Sequence, residues 1–363
     1  MFKLEKRVSD SRLMAYLSPL IAITLTLISG GILFLFLGHD PFEALHTFFI
    51  SPLTSVYGWT ELGIKVAPLL LCAMGLTLCF RAKIWNIGAE GQFIMGALGG
   101  SIAALQFLEA DSRLALIPIL LAGTFSGLAW AALAAWLKTR FNANEILTTI
   151  MLNYIALNAL LYGVHGPLKD PDGFNFPESA LFADATLLPV FSDDYRLNIS
   201  IFFALFAMVA VWTLMSRSWI GYQIRVLGED AKAARYAGFK DKHLTWFALL
   251  TCGALAGLAG VSEVTGPLGQ LVPQVSPGYG YAAIIVVFLG RMQPLGILLA
   301  SMLLALTFMG GEMVQIEMTL PKSLTGLFQG MLLFFLLATD LLIAYRIVPT
   351  SLRSSRATSL NQG

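Results

Sequence analysis

Apolar runs separated by short polar segments follow one another along almost the whole chain, and no polar stretch is long enough to fold alone. Runs such as 20–37 and 324–345 have the length a helix needs to cross a bilayer core, and far exceed the roughly ten residues of a barrel strand. In lipid every backbone N–H and C=O needs a partner within the protein, which favours helices. The pattern predicts an all-α, polytopic transmembrane helical bundle of about ten spans. They fall over 15–37, 61–80, 89–108, 114–137, 145–163, 199–215, 245–263, 279–290, 294–312 and 324–345. The third is rich in glycine and the eighth is short for a full crossing.

Composition agrees with this pattern. The chain is 57% hydrophobic and 12% charged, with a mean hydropathy of +0.74, too apolar for a water-soluble core of 363 residues. The net charge of +1 gives no basic field for nucleic acid. The first apolar run is too long for the core of a secretory signal and ends in Gly38-His-Asp-Pro41, so it reads as an uncleaved first helix.

Positive residues set the topology, because they accumulate in cytoplasmic loops. With the N-terminus inside, 18 of the 23 Lys and Arg residues fall on the cytoplasmic side. The other five are Lys65, Arg113, Lys169, Arg196 and Lys322. Ten spans with both termini cytoplasmic is the consistent solution. Two longer segments interrupt a single transmembrane domain spanning 1–363. Residues 163–198 are acidic and fall outside as a small cap, whereas 216–243 are basic and cytoplasmic.

Three pairs of glycines at four-residue spacing, Gly96/Gly100, Gly123/Gly127 and Gly253/Gly257, predict close backbone approach between helices. Glu61 and Lys65 have the spacing of a helical ion pair. The three cysteines, Cys72, Cys79 and Cys252, lie in apolar runs without metal-binding spacing, so no metal site or cofactor is expected on this chain.

Two polar segments stand out. In Asn86–Gln92, Gly88 and Gly91 flank Glu90 at the mouth of an apolar helix, with Asn86 and Gln92 nearby. A helix beginning near Glu90 presents free N–H groups and a positive dipole end, as the broken helices of transporters do. The carboxylate either lines a translocation path or pairs with Arg81 or Lys83 at the cytoplasmic edge. In Gly221–Gly238, Glu229 and Asp230 suit the first turn of a short helix, and Ala231, Ala233, Ala234 and Ala237 its interior. Gly238 is placed to terminate it. Two turns outside a bilayer are unstable alone and need a surface: the protein's own helix ends, lipid headgroups or a cytoplasmic partner.

These segments resemble the permease subunits of bacterial ATP-binding-cassette importers. Asn86–Gln92 (NIGAEGQ) is similar to a signature of the branch that works with basic-membrane-protein lipoproteins and imports nucleosides. Asn144–Tyr154 (NEILTTIMLNY) resembles a second stretch of that branch. Gly228–Gly238 (GEDAKAARYAG) looks like the coupling segment of the wider ribose and branched-chain amino-acid permease group. Gly278–Gly290 resembles a fourth element of that group, with Ile285 and Val287 where alanines are commoner.

The resemblance covers about 15–345. It implies a multi-pass protein of the bacterial inner membrane that pairs with an identical or sister permease. Two ATPase subunits would bind through Gly228, Glu229, Asp230, Ala233, Ala234, Tyr236, Ala237 and Gly238. An extracytoplasmic solute-binding lipoprotein would deliver a small polar solute, a nucleoside in that branch. The aromatic and amide groups such a path needs could come from Asn153, Tyr154, Asn158, Tyr279 and Tyr281. With Asn86, Glu90 and Gln92, Asn153 and Tyr279 form the candidate path.

No phosphate-binding G-x-x-x-x-G-K-[ST] loop occurs, so this chain does not bind ATP in the usual way, and the resemblance implies that the ATPase is a separate chain. Neither H-E-x-x-H nor G-x-S-x-G is present, and no catalytic residue is assigned. The competing expectation is a secondary carrier driven by an ion gradient, for which Glu90 is the best carboxylate.

Overall fold

The computed structural model describes residues 2–6, 12–192 and 194–349. Its elements begin with β1 (Phe2–Lys6), α1 (Arg12–Phe36), α2 (Pro41–Phe49), α3 (Val56–Arg81) and α4 (Ala89–Ala104). Then come α5 (Leu116–Phe141), α6 (Glu145–His165), the strands β2 (Val190–Ser192) and β3 (Tyr195–Asn198), and α7 (Ser200–Arg217). The remainder are α8 (Trp219–Glu229), α9 (Ala231–Tyr236), α10 (Asp241–Glu263), α11 (Tyr279–Leu289), α12 (Pro294–Met318), α13 (Ser323–Ala344) and β4 (Tyr345–Pro349).

Every expected span falls on a helix. Eight helices among the described residues are long and apolar enough to cross a membrane. The two remaining spans, α4 and α11, have 16 and 11 residues. At about 1.5 Å per residue, α11 reaches little more than half of a ~30 Å hydrocarbon core. Two short antiparallel ladders, β1 with β4 and β2 with β3, depart from the all-α expectation. They occupy chain ends and a loop, where no helix claims the backbone groups.

The chain divides into two compact units, Leu53–Leu306 and the chain's two ends up to Pro52 and from Thr307. In the first, α3 is the axis. The apolar window of α3 is 89% buried, against 22% for α7, which keeps one face outward. A helix apolar all round belongs in the middle of its bundle.

Beside α3, the helices α4, α5 and α10 meet along one seam. A methyl group added to Gly96 would overlap the Gly257 backbone, one on Gly100 would strike Val261, and one on Gly127 would sit 2.5 Å from the Gly253 carbonyl oxygen. The three glycine pairs are therefore one shared contact. In lipid, dispersion between closely approaching backbones replaces the missing hydrophobic drive. Ile285 and Val287 are buried in α11.

The 163–198 segment packs against the end of α10. The main-chain N–H groups of Ser179, Phe182 and Leu188 donate to the carbonyls of Leu271, Gly269 and Thr265 at 2.7–3.0 Å. Glu61 pairs with Arg196 of β3 through two hydrogen bonds of 3.0 and 2.7 Å. The partner comes from 135 residues away, a distance that helical spacing cannot reveal. The Glu61 carboxylate holds the Arg196 guanidinium above its usual pKa.

The second unit packs on aromatic rings. Phe48 and Phe328 stack with centroids 4.5 Å apart, and Phe34 lies 5.7 Å from Phe328. Asp40 caps α2 by accepting from the N–H groups of Phe42 and Glu43, with Pro41 at the first helical position. Near its other end the Ser18 hydroxyl donates to Asp340 at 2.7 Å.

Candidate translocation and coupling sites

The residues expected to form a path come together inside Leu53–Leu306. After α3 the chain turns through Lys83 (φ 54°) and reaches Asn86, whose Oδ1 accepts the Gly88 N–H at 2.8 Å. Helix α4 then starts at Ala89, inside the expected glycine-flanked break. Helix α11 starts beside it, so closely that a methyl group on Gly280 would overlap the Glu90 backbone.

Two helix N-termini thus abut in the interior, where their positive ends repel. Glu90, only 6% exposed, lies between them and accepts the Gly280 N–H at 2.7 Å. It also takes hydrogen bonds from Ser276 and the Tyr281 N–H. One carboxylate satisfies orphan donors of α11 while offsetting both dipoles. The expected pairing with Arg81 or Lys83 does not form. Arg81 donates to the Met292 carbonyl and Lys83 to that of Glu229, leaving Ser276 and the N–H groups of α11 as the carboxylate's partners.

Asn153 of α6 completes the cluster. Its Oδ1 accepts the Gly91 N–H at 2.9 Å, and its Nδ2 donates to the Ile87 carbonyl at 2.9 Å and the Tyr281 hydroxyl at 3.1 Å. Asn86 reaches Gln92 and the Cys252 sulfur. Tyr279 is buried edge-on against Phe93. All five candidates are buried in this conformation. Tyr281, 44% exposed, is the cluster member that extends to the surface. Tyr154 and Asn158 lie exposed on α6. The roles of Gly280 and Ser276 were not legible beforehand, since they sit about 190 residues from Glu90.

The segment expected to serve in coupling is a corner of two helices. Glu229 ends α8 instead of opening the next helix, and Gly228 lies within α8, pressed on the Arg81 carbonyl at the end of α3. The break falls at Asp230, whose extended backbone (φ −150°, ψ 114°) lets its side chain accept the Lys232 N–H at 2.8 Å. Gly238, at φ +78°, ends α9 as expected. The Phe239 N–H returns to the Ala234 carbonyl and that of Gly238 to Arg235, the Schellman pattern.

Arg235 pairs with Asp241 at 2.8 Å. Trp219, Tyr222 and Phe239 pack their rings at 5.3–6.2 Å around the corner. Of the alanines, Ala234 is fully buried while Ala231, Ala233 and Ala237 are exposed, and Tyr236 is 94% exposed. The free face of α9 is therefore that of Ala233 and Tyr236.

Comparison with known proteins agrees with this architecture. Residues 59–337 match the family described as "Branched-chain amino acid transport system / permease component", and the chain belongs to that family. A glucose ABC transporter permease protein of Haloferax volcanii is 32% identical, over 95% of this chain and 93% of that protein. A guanosine ABC transporter permease protein of Bacillus subtilis is 28% identical, over 89% and 93%. A nucleoside ABC transporter permease protein of Lactococcus lactis is 27% identical, over 94% and 96%. This chain is a permease subunit of an ATP-binding-cassette importer and a multi-pass protein of the inner membrane.

Proposed function

We propose that this permease forms the translocation path for a nucleoside. It acts with a second permease, identical or sister, two ATPase subunits that hydrolyse ATP, and an extracytoplasmic solute-binding lipoprotein. Ten crossings, with α4 and α11 as short internal members and both termini cytoplasmic, fit the division of positive charge. The nucleoside assignment is supported by the names of the Bacillus and Lactococcus relatives.

The observation that carries the proposal is the α8–α9 corner. A six-residue helix capped at both ends, seated on the end of α3 and exposing Ala233 and Tyr236, suits it to pass force from a motor to the bundle. Gly228, Glu229, Asp230, Ala234, Ala237 and Gly238 build and hold that helix. Asn86, Glu90, Gln92, Asn153 and Tyr279 shape the wall of the path by fixing where α4 and α11 begin. Glu90, the carboxylate a gradient-driven carrier would use, is engaged by α11 N–H groups. The test is uptake of labelled guanosine, uridine and glucose into vesicles holding the assembled transporter. Nucleoside uptake should persist when ion gradients are collapsed and ATP is maintained. Uptake that follows the ion gradient without ATP would refute the proposal.

A further inference from the structure

Behind the coupling corner lies a cavity of about 600 Å³ with a strong excess of positive charge. Lys83 follows α3, Lys138 and Arg140 end α5, Arg235 belongs to α9 and Lys242 to α10; all five line it. Its two carboxylates are Glu229 and Asp241. Local pairing uses part of the charge, because Arg235 holds Asp241 at 2.8 Å and Lys138 holds Glu145 at 2.6 Å. Lys83 donates to the Glu229 carbonyl at 3.3 Å. The exposed side chains of Arg140 and Lys242 make no hydrogen bond or ion pair among the described residues.

Depth is marked by aromatic side chains. Trp136 and Phe141, 48% and 62% exposed, pack edge-on at 5.1 Å at the end of α5. Exposed aromatic residues flanking basic ones mark the headgroup level of a bilayer. A basic cavity between helix ends at that level fits an anionic headgroup.

We propose that this cavity binds a phosphate-bearing anion, with Arg140 and Lys242 as its principal cations and Lys83 and Lys138 on its walls. The geometry leaves the coupling face free. At 3.6 residues per turn, Ala231 and Arg235, which line the cavity, lie on one side of α9 and Ala233 on the other. An anion can therefore occupy the cavity while a partner covers Ala233. Binding would brace α9 from behind by drawing α5, α9 and α10 together.

The inference rests on the proposed function only in placing this face toward the cytoplasm. Its test is made on the permease chain alone, so a failure here leaves ATP-dependent uptake unaffected. The full chain in phosphatidylcholine nanodiscs, with or without phosphatidylglycerol, is assayed by native mass spectrometry for retained lipid. In a second arm, inorganic phosphate and glycerol 3-phosphate are titrated into phosphatidylcholine-only discs and the thermal shift is read.

Selective retention of phosphatidylglycerol identifies a lipid headgroup, and a shift with the soluble anions identifies a free phosphate ester. Each supports the site only if it weakens about twenty-five-fold in the double variant Arg140→Gln, Lys242→Gln, at about five-fold per cation removed. The exposed pair Lys232→Gln, Lys240→Gln, outside the cavity, should leave binding unchanged. Equal retention of both lipids with no shift in the second arm overturns the proposal, as does undiminished binding in the cavity variant.

Discussion

The cluster around Glu90 and the α8–α9 corner are both polar breaks between helices, and they solve opposite problems. Around Glu90, two helix N-termini face each other away from water, and the Gly91 and Gly280 N–H groups are met by side chains held by the bundle. At the corner, α9 is finished by its own caps and shows one face outward. A buried break must be saturated from within, because an unmet donor there costs about 1–3 kcal/mol. An exposed break can leave its surface for a partner. The same residue types thus lock one region and make the other available for docking.

The largest effect should come from Glu90→Ala, which removes the carboxylate from between two positive helix ends. We expect about 3 kcal/mol of destabilisation and loss of uptake, with Glu90→Gln intermediate, read by thermal unfolding in detergent. Unchanged stability would mean that the cluster is not the lock described here. Next, Asn153→Ala strips the partners from the Gly91 N–H and the Ile87 carbonyl, and should cost about 2 kcal/mol in the same assay.

The corner should respond differently. Ala233→Glu, on an exposed face, should leave insertion and unfolding temperature unchanged while reducing uptake at least tenfold. Ala234→Glu, at a fully buried position, should instead lower the protein level in the membrane. If the two variants behaved alike, the assignment of the docking face would be wrong. The smallest effect should be that of Gly238→Ala, which places a side chain at φ +78°. A loss of about 1 kcal/mol is expected, seen as faster amide exchange confined to α9.

Much of the bundle was legible from residue pattern, because helices in lipid need long apolar runs and close packing needs small residues at fixed spacing. Gly96, Gly127 and Gly253 announced a tight seam, though not that one seam uses all of them. Gly238 was readable as a terminator because its role is local. Glu229 was misplaced by one helix, since an acidic residue suits the end of one segment or the start of the next until a backbone angle decides. Glu61 was misread for a different reason: Lys65 is near in sequence, but Arg196 arrives through a hairpin.

The sequence by itself determined that this chain lives in lipid, that it is built from apolar helices, and to which family it belongs. These follow from periodicity, length and short-range chemistry, which one strand of text carries in full. Tertiary structure alone decided that Glu90 neutralises two helix ends, that Asn153 caps α4 from α6, and that Ala234 faces inward while Ala233 faces out. Each depends on which distant backbone groups end up unpaired and near, and that is settled only when the helices pack.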